Sequence, residues 1–142
     1  MAASPSRPGA DAGRLAVRII TPEWIAYDQP ADAVVATATD GEVGILPGHA
    51  PMMVVLGIGE FRIRTADRFE WFAIGEGFLH IQDDVVIVLT PFAESAREVD
   101  VEEARRLELT TAENPLLQGT ILGEEQRKRL AKLRERVAAK AR

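Results

Sequence analysis

Cysteine is absent from the 142-residue chain, and histidine occurs only twice, at His49 and His80. The lack of cysteine excludes disulfide scaffolds, thiolate zinc sites and cysteine nucleophiles. The two histidines form no H-E-x-x-H pattern, so the sequence does not indicate a histidine-based metal site. Apolar runs are short as well, and none approaches the roughly 18 to 20 residues that a membrane-spanning helix needs. We therefore expect no bound metal and no direct insertion into a membrane.

Recognisable catalytic motifs are also missing. No glycine is followed by lysine, which rules out a phosphate loop of the G-x-x-x-x-G-K-[ST] kind, and no serine lies in a G-x-S-x-G elbow. The glycine pairs at residues 57–59 and 75–77 lack the third glycine of a dinucleotide fingerprint and are typical of turns. We therefore predict no catalytic residues, and the sequence argues against an independent enzyme.

Charge is distributed unevenly along the chain, whose formal net charge is -5. Residues 1–93 carry -6 and residues 94–113 carry -4, whereas residues 114–142 carry +5. A basic tail on an acidic body predicts an acidic partner, a nucleic acid or an anionic membrane for the tail, or docking of the tail on its own protein. We expect no nucleic-acid partner, because the tail has no aromatic residue for base stacking and the acidic body would repel the ligand.

The first 13 residues are mostly small residues, proline and glycine, without hydrophobic periodicity. This composition predicts a disordered N-terminal arm. A targeting peptide is the alternative, but the segment lacks an apolar region and contains Asp11, which transit peptides disfavour. A disordered extension is the better interpretation.

The period of β-strands runs from residue 15 to residue 90. Apolar and polar side chains alternate in three stretches: residues 15–19, 61–65 and, more loosely, 79–82. Residues 33–39 and 85–89 are rich in β-branched side chains, which predicts strands buried on both faces. Turn signals such as Gln29-Pro30 recur about every eight to twelve residues. This spacing predicts an all-β body, a sandwich or a barrel, over residues 14–93, with no helical pattern between strands.

Residues 41–51 stand out between two predicted strands because they contain three glycines and two prolines. Proline fixes a negative φ and glycine allows a positive one, so Pro47 and Gly48 suit the central positions of a type II turn. We expect a stiff loop whose exposed chemistry is modest. It offers one carboxylate, one imidazole and three apolar side chains: Glu42, His49, Ile45, Leu46 and Met52. Such a surface fits docking better than catalysis.

The pattern changes after Pro91, and we expect a helical region over residues 94–142. Asp100 is placed to cap a first helix over residues 101–107, which Asn114-Pro115 should end.

A second helix is expected from Glu124 to about Ala141, with a thin apolar stripe at Leu130, Leu133 and Val137. Basic residues occupy most of its other faces: Lys128, Arg129, Lys132, Arg134, Arg136 and Lys140. We interpret them as a solvated, partner-directed surface. Because so narrow a stripe holds a helix weakly, we expect an antiparallel hairpin that docks marginally on the body and can detach.

Two stretches carry a family resemblance: E-V-G-I-L-P-G-H-A-P at residues 42–51 and G-E-F-R-I at residues 59–63. They closely resemble the ε subunit of bacterial and chloroplast F-type ATP synthases, which corresponds to δ in mitochondria. The likeness runs in order from Leu15 to about Leu107. It implies a ten-stranded β-sandwich followed by a two-helix hairpin, located on the central stalk beside the γ subunit and above the membrane ring of c subunits.

The resemblance also implies roles for the residues. Glu42 would face the c ring and His49 would lie near γ, with Ile45, Leu46 and Met52 completing the interface. The chain would be a non-catalytic rotor subunit that couples ion flow to ATP synthesis, peripheral at the cytoplasmic face of the bacterial plasma membrane. Its hairpin would reach toward the α and β subunits and block ATP hydrolysis through five basic residues: Lys128, Arg129, Lys132, Arg134 and Arg136.

Some members of that family bind a regulatory ATP through an I/L-D-x-x-R-A motif at the start of the first helix. Residues 101–106 read V-E-E-A-R-R here, so Arg105 matches, Glu102 replaces the aspartate and Arg106 replaces the alanine. The longer carboxylate and the added bulk argue against nucleotide binding, and we expect no other cofactor. The alternatives are a free-standing β-sandwich adaptor with a basic helical tail, and an enzyme of unknown type.

Overall fold

The computed structural model describes residues 13–100, 102–103 and 124–140, and these form ten strands and a C-terminal helix. The strands are β1 (Leu15–Ile20), β2 (Ile25–Ala31), β3 (Ala33–Ala38), β4 (Gly41–Ile45), β5 (Met52–Leu56), β6 (Gly59–Thr65), β7 (Arg68–Ile74), β8 (Gly77–Gln82), β9 (Val85–Leu89) and β10 (Ala93–Ser95). The helix, α1, spans Glu124–Lys140. The last strand therefore ends two residues beyond the predicted division at residue 93.

The strands form one hydrogen-bonded sheet in the order β10-β7-β6-β3-β5-β8-β9-β1-β2, with β4 paired to β3 beside this path. Among the described strands, β1 and β9 run parallel, and the other pairs are antiparallel. Several of these pairs are hairpins joined by short turns, as the close spacing of the turn signals predicts.

The sheet folds over so that its two halves enclose one apolar core. Leu15 of β1, Phe61 of β6 and Leu79 of β8 lie in the same buried cluster, although their strands stand apart in the sheet order. Tyr27 of β2 also meets Phe72 of β7 edge to face, with ring centroids 5.8 Å apart. The body is therefore two layered, which decides between the sandwich and the barrel in favour of the sandwich.

Five predicted strands are confirmed, as β1, β3, β6, β8 and β9. The expectation that β3 and β9 are buried on both faces is wrong, because every second side chain in them is partly exposed. Each half of a sandwich has the core on one side only, so even a run of β-branched residues has an inner and an outer face.

The expected turn at Gln29-Pro30 is wrong as well, since both residues lie inside β2, opposite Val17 and Ala16 of β1. Among the described strands, β2 ends the sheet and pairs with β1 alone. A proline is tolerated in an edge strand because its missing N–H can face away from the ladder.

Helix α1 confirms the predicted second helix and packs on the outer side of β6 and β7. Leu133 and Val137 are fully buried against Ala73 and Ala96, and four partly buried side chains surround them: Ile58, Trp71, Phe92 and Leu130. Ala131 and Ala138 are buried too. The apolar face of the helix is therefore wider than the predicted stripe, because alanine fills space next to a sheet without adding much to a hydrophobicity pattern.

Asp100 caps helical backbone at residues 102–103, as predicted, and its Oδ1 accepts the N–H of Glu103 at 3.1 Å. The rest of the predicted first helix, its end at Asn114-Pro115 and all of the N-terminal arm except Gly13 lie outside the described residues. The two-helix hairpin thus stays a prediction. No helix in the described part of the chain is long and apolar enough to cross a membrane.

Candidate docking site

The glycine- and proline-rich segment 41–51 is half strand and half turn. Residues 41–45 form β4, which pairs with β3, so the expectation of a single loop is wrong for this part. The turn itself is as predicted: Gly48 has a φ of +84°, and the N–H of His49 donates to the carbonyl oxygen of Leu46 at 3.2 Å. A positive φ at the third position of a four-residue turn is the signature of type II.

Residues on β4 and the turn differ in exposure. The Glu42 side chain is well exposed, and its Oε2 lies 3.9 Å from Nη2 of Arg62 on β6. Leu46 is 57% exposed, an unusual fraction for a large apolar residue. His49 is half-buried, with Nδ1 2.7 Å from the carbonyl oxygen of Ala50. These three predicted interface residues therefore face solvent at least in part.

The other two predicted residues are placed differently. Ile45 belongs to the core and has no exposed surface, so its predicted exposure is wrong. Met52 is half-buried and packs against the same core, whereas its neighbour Met53 is 68% exposed. Side chains alternate along a strand, and β5 turns Met53 outward and Met52 inward. The sequence M-M-V-V-L is apolar on both faces, so its pattern carries no signal for which methionine is exposed.

An apolar row on the outer face of the same half of the sheet is absent from the sequence-based prediction. Register pairs place its members side by side: Val55 with Phe78, Phe78 with Leu89, Leu89 with Ile20 and Ile20 with Ile25. Val55, Phe78, Leu89 and Ile25 are each between 51% and 54% exposed. The row borders a shallow groove of about 800 Å³.

That groove is lined by all of the row except Ile25 and by residues at the ends of the same strands, including Thr21, Pro22, Gly77 and Pro91. Thr90 stiffens its floor, because its hydroxyl donates to the carbonyl oxygen of Phe92 at 2.9 Å. Contiguous exposed apolar surface on a folded protein marks an interaction site. The sequence carries only a weak signal for this row. Phe78 near the start of β8 and Leu89 at the end of β9 occupy positions whose side chains the strand alternation directs outward.

The basic residues of α1 fall into two groups. Lys128, Arg129, Lys132 and Arg136 are exposed, as predicted. Arg134 is only 8% exposed, so its assignment to a solvated, partner-directed surface is wrong. Its Nε and Nη2 donate to the two carboxylate oxygens of Glu94 on β10 at 2.6 and 3.1 Å, and Nη2 lies 3.5 Å from Oε2 of Glu103.

This ion pair connects α1 to the body. The hydrogen bond that Arg134 donates to Glu94 raises the pKa of Arg134 above its ordinary value, so the guanidinium stays charged. Glu102, a predicted nucleotide residue, is exposed, whereas Arg105 lies outside the described residues. No three histidine, aspartate or glutamate side chains of the described ranges are grouped so as to hold a metal ion.

Comparison with known proteins identifies the family of the chain. Residues 14–96 match the family model described as ATP synthase, Delta/Epsilon chain, beta-sandwich domain. An ATP synthase epsilon chain from Desulforamulus reducens is 39% identical over 87 residues, which cover 61% of this chain and 66% of that relative. The aligned part thus falls just short of two thirds of the relative's length.

Two solved structures share the fold. A chain of the Euglena gracilis mitochondrial ATP synthase, solved with OSCP, F1 and c-ring, matches with a TM-score of 0.68 at 18% identity, covering 96% of this chain and 87% of its own. A chain of the Tetrahymena thermophila mitochondrial ATP synthase central stalk and c-ring matches with a TM-score of 0.52 at 18% identity, covering 89% and 95%. With a family model that matches more than half of its residues, the chain belongs to the ATP synthase delta/epsilon family.

Proposed function

We propose that this chain is a non-catalytic rotor subunit in the central stalk of an F-type ATP synthase. In this role it couples ion flow through the c ring to ATP synthesis on the α and β subunits. The observation that carries the proposal is the pair of exposed surfaces on one half of a sandwich that belongs to this family. One is the turn with Glu42, Leu46 and His49, and the other is the apolar row.

The two surfaces lie toward opposite ends of strand β8. The row crosses β8 at Phe78, near its start, whereas the turn at residues 46–49 contacts the hairpin that follows its end. Six residues of strand separate the two by roughly 20 Å. The subunit can therefore contact two partners at once, and we assign the turn to the c ring and the row to the γ subunit. This assignment gives His49 to the c ring, whereas the family resemblance implies a position near γ.

The half-exposed aromatic and aliphatic side chains of the row fit a protein partner better than a small ligand. The groove beside them is broad and shallow, whereas ligand pockets enclose most of their ligand. Large apolar residues at the centre of an interface also supply most of its binding energy. The family resemblance implies a position beside the γ subunit, and we therefore propose γ as the partner of this face.

The structure offers a matched pair of variants to test this assignment. Phe78 on the row is 52% exposed, and Phe69 on the helix-bearing half is 53% exposed. Phe78→Asp should lower the affinity for ATP synthase depleted of this subunit by about tenfold or more, because a charge would be buried in an apolar interface. Phe69→Asp should bind as the unmodified chain does. Equal affinities of the two variants would contradict docking through the row.

We further propose that the C-terminal region limits ATP hydrolysis by leaving the body and reaching toward α and β. Exposed basic residues of α1 support this role, among them Lys128, Arg129, Lys132 and Arg136. Arg134 would join them only after its ion pair with Glu94 opens. Removal of residues 119–142 should raise ATP hydrolysis by the assembled complex while synthesis continues. Unchanged hydrolysis would make the helix a structural clasp only.

The proposed location is the cytoplasmic face of a bacterial plasma membrane, with the subunit attached through its partners. The bacterial origin of the 39% identical relative supports this proposal. Cell fractionation decides it, because the chain should sediment with membranes and leave them together with the catalytic head. A free-standing adaptor would remain in the supernatant.

A further inference from the structure

The type II turn at residues 46–49 has a backbone donor that the turn itself does not use. In this turn type the peptide between the two central residues stands across the turn, and its N–H points away from the closing hydrogen bond. Here that N–H belongs to Gly48, and it donates to Oδ1 of Asp84 at 2.7 Å. Asp84 lies 36 residues further along the chain, so this contact ties together two distant loops.

Asp84 itself is held firmly. It occupies the two-residue hairpin between β8 and β9 together with Asp83, and the two residues have φ values of +60° and +49°. Aspartate tolerates this left-handed conformation, which a tight hairpin of this kind requires. The carbonyl oxygen of Asp84 also accepts the N–H of Ala16 at 2.8 Å, at the start of β1. The carboxylate therefore projects from a backbone fixed on two sides.

The turn needs such a support, because residues 46–51 lie between the end of β4 and the start of β5 and outside their ladders. We propose that Asp84 is a positioning residue: it fixes the turn so that Leu46 and His49 are presented to the partner in one orientation. The inference deepens the proposed function and rests on it, since it assumes that the turn is a docking surface. The inference gives a role in docking to a residue of a different loop, and Asp84 does not itself need to contact the partner.

Three variants of the hairpin separate the carboxylate from the backbone conformation. Asp84→Gly keeps the left-handed φ without strain and removes the acceptor. Asp84→Asn keeps an oxygen acceptor and tolerates the same φ. Asp83→Gly alters the neighbouring left-handed residue and leaves the contact intact, so it serves as the matched control. Thermal unfolding of each variant checks that the body remains folded.

Two readouts on the full chain test the proposal. Amide hydrogen exchange at Gly48 should become about tenfold faster in Asp84→Gly, as expected for loss of a hydrogen bond to a charged acceptor, and should change little in Asp84→Asn and Asp83→Gly. Affinity for ATP synthase depleted of this subunit should fall about fivefold in Asp84→Gly alone, because a mobile turn must be ordered on binding.

The outcomes are distinct. Unchanged exchange at Gly48 in Asp84→Gly would overturn the contact itself. Faster exchange with unchanged affinity would overturn its positioning role, provided that Leu46→Asp weakens binding. If Leu46→Asp also binds normally, the turn is not a docking surface, and the proposed assignment of the turn to the c ring fails together with the inference.

Discussion

The outer faces of the two halves of the sandwich differ in how far other parts of the chain cover them. On β6 and β7 the chain covers its own sheet with α1, which buries Leu133 and Val137. On β5, β8, β9 and β1 the apolar row stays half exposed, with no described segment of the chain packed over it. One face is thus completed within the subunit. The other face has the chemistry of an interior surface that the described residues leave uncovered, which agrees with its proposed role as a docking surface.

The covered face is held by few contacts compared with the core of the body. Its cluster has four buried residues, whereas the main core collects residues from most of the strands. One ion pair, between Arg134 and Glu94, adds a polar connection. Lys140 at the end of α1 lies 4.9 Å from the ring of Trp71, which places an indole reporter under the helix. The difference predicts that the helix can separate from a body that remains folded.

The largest expected effect comes from Leu133→Ala. Removing a fully buried leucine side chain should cost about 3 kcal/mol, and the loss should fall on helix docking because Leu133 belongs to the second cluster, between α1 and the sheet. Fluorescence of Trp71, recorded in a Trp24→Phe background, should report an earlier transition than the circular dichroism of the strands. Lys132→Ala, on the exposed side of the helix, is the control. A single shared transition in Leu133→Ala would show that helix and body unfold as one unit.

A smaller effect is expected from the ion pair. Arg134→Ala should weaken helix docking by about 2 kcal/mol, because Glu94 would be left without its partner in a largely buried place. The double variant with Glu94→Ala should recover part of this loss, since no unpaired charge remains. A double-mutant cycle followed by Trp71 fluorescence measures the coupling. Strictly additive losses would mean that the pair contributes nothing to docking.

The smallest effect concerns the junction of the two halves. Asp32, between β2 and β3, accepts the N–H of Ala66 at 2.6 Å and Nε of Arg14 at 3.0 Å. The backbone hydrogen bond from Ala66, aided by Arg14, holds the pKa of Asp32 below its ordinary value of 3.8. A carboxyl group with a lowered pKa stabilises the fold above its ordinary pKa, and this contribution disappears as the pH falls through the lowered value.

Asp32→Asn should therefore reduce the loss of melting temperature between about pH 5 and about pH 2, and the variant should be less stable than the unmodified chain at the upper end of that range. Both halves of the sandwich should respond together, because Asp32 links the turn after β6 to the start of β1. Calorimetry at several pH values makes the measurement. Identical pH profiles would show that the two hydrogen bonds do not favour the ionised form.

Much of the site can be derived from the order of residues alone. Pro47-Gly48 predicts the type II turn because only a residue without a side chain adopts its positive φ easily, and Asp100 predicts a helix cap for an equally local reason. Alternation in residues 15–19 and 61–65 predicts β1 and β6 with their inner faces. Each of these features depends on neighbours within a few positions.

The contacts of those local features with the rest of the molecule depend on the tertiary structure. The burial of Ile45 and the exposure of Met53 follow from which side of β4 and β5 meets the other layer, and M-M-V-V-L is apolar on both sides. Arg134 and Glu94 are 40 residues apart, and Gly48 and Asp84 are 36 apart, so no local pattern could pair them. The apolar row exists only because strand register aligns Phe78 with Val55 and Leu89. Turns, caps and strand periods can be predicted from the order of residues, because they are short-range preferences of the backbone. Only the folded sheet determined which side chains share a surface, because that depends on contacts between distant segments.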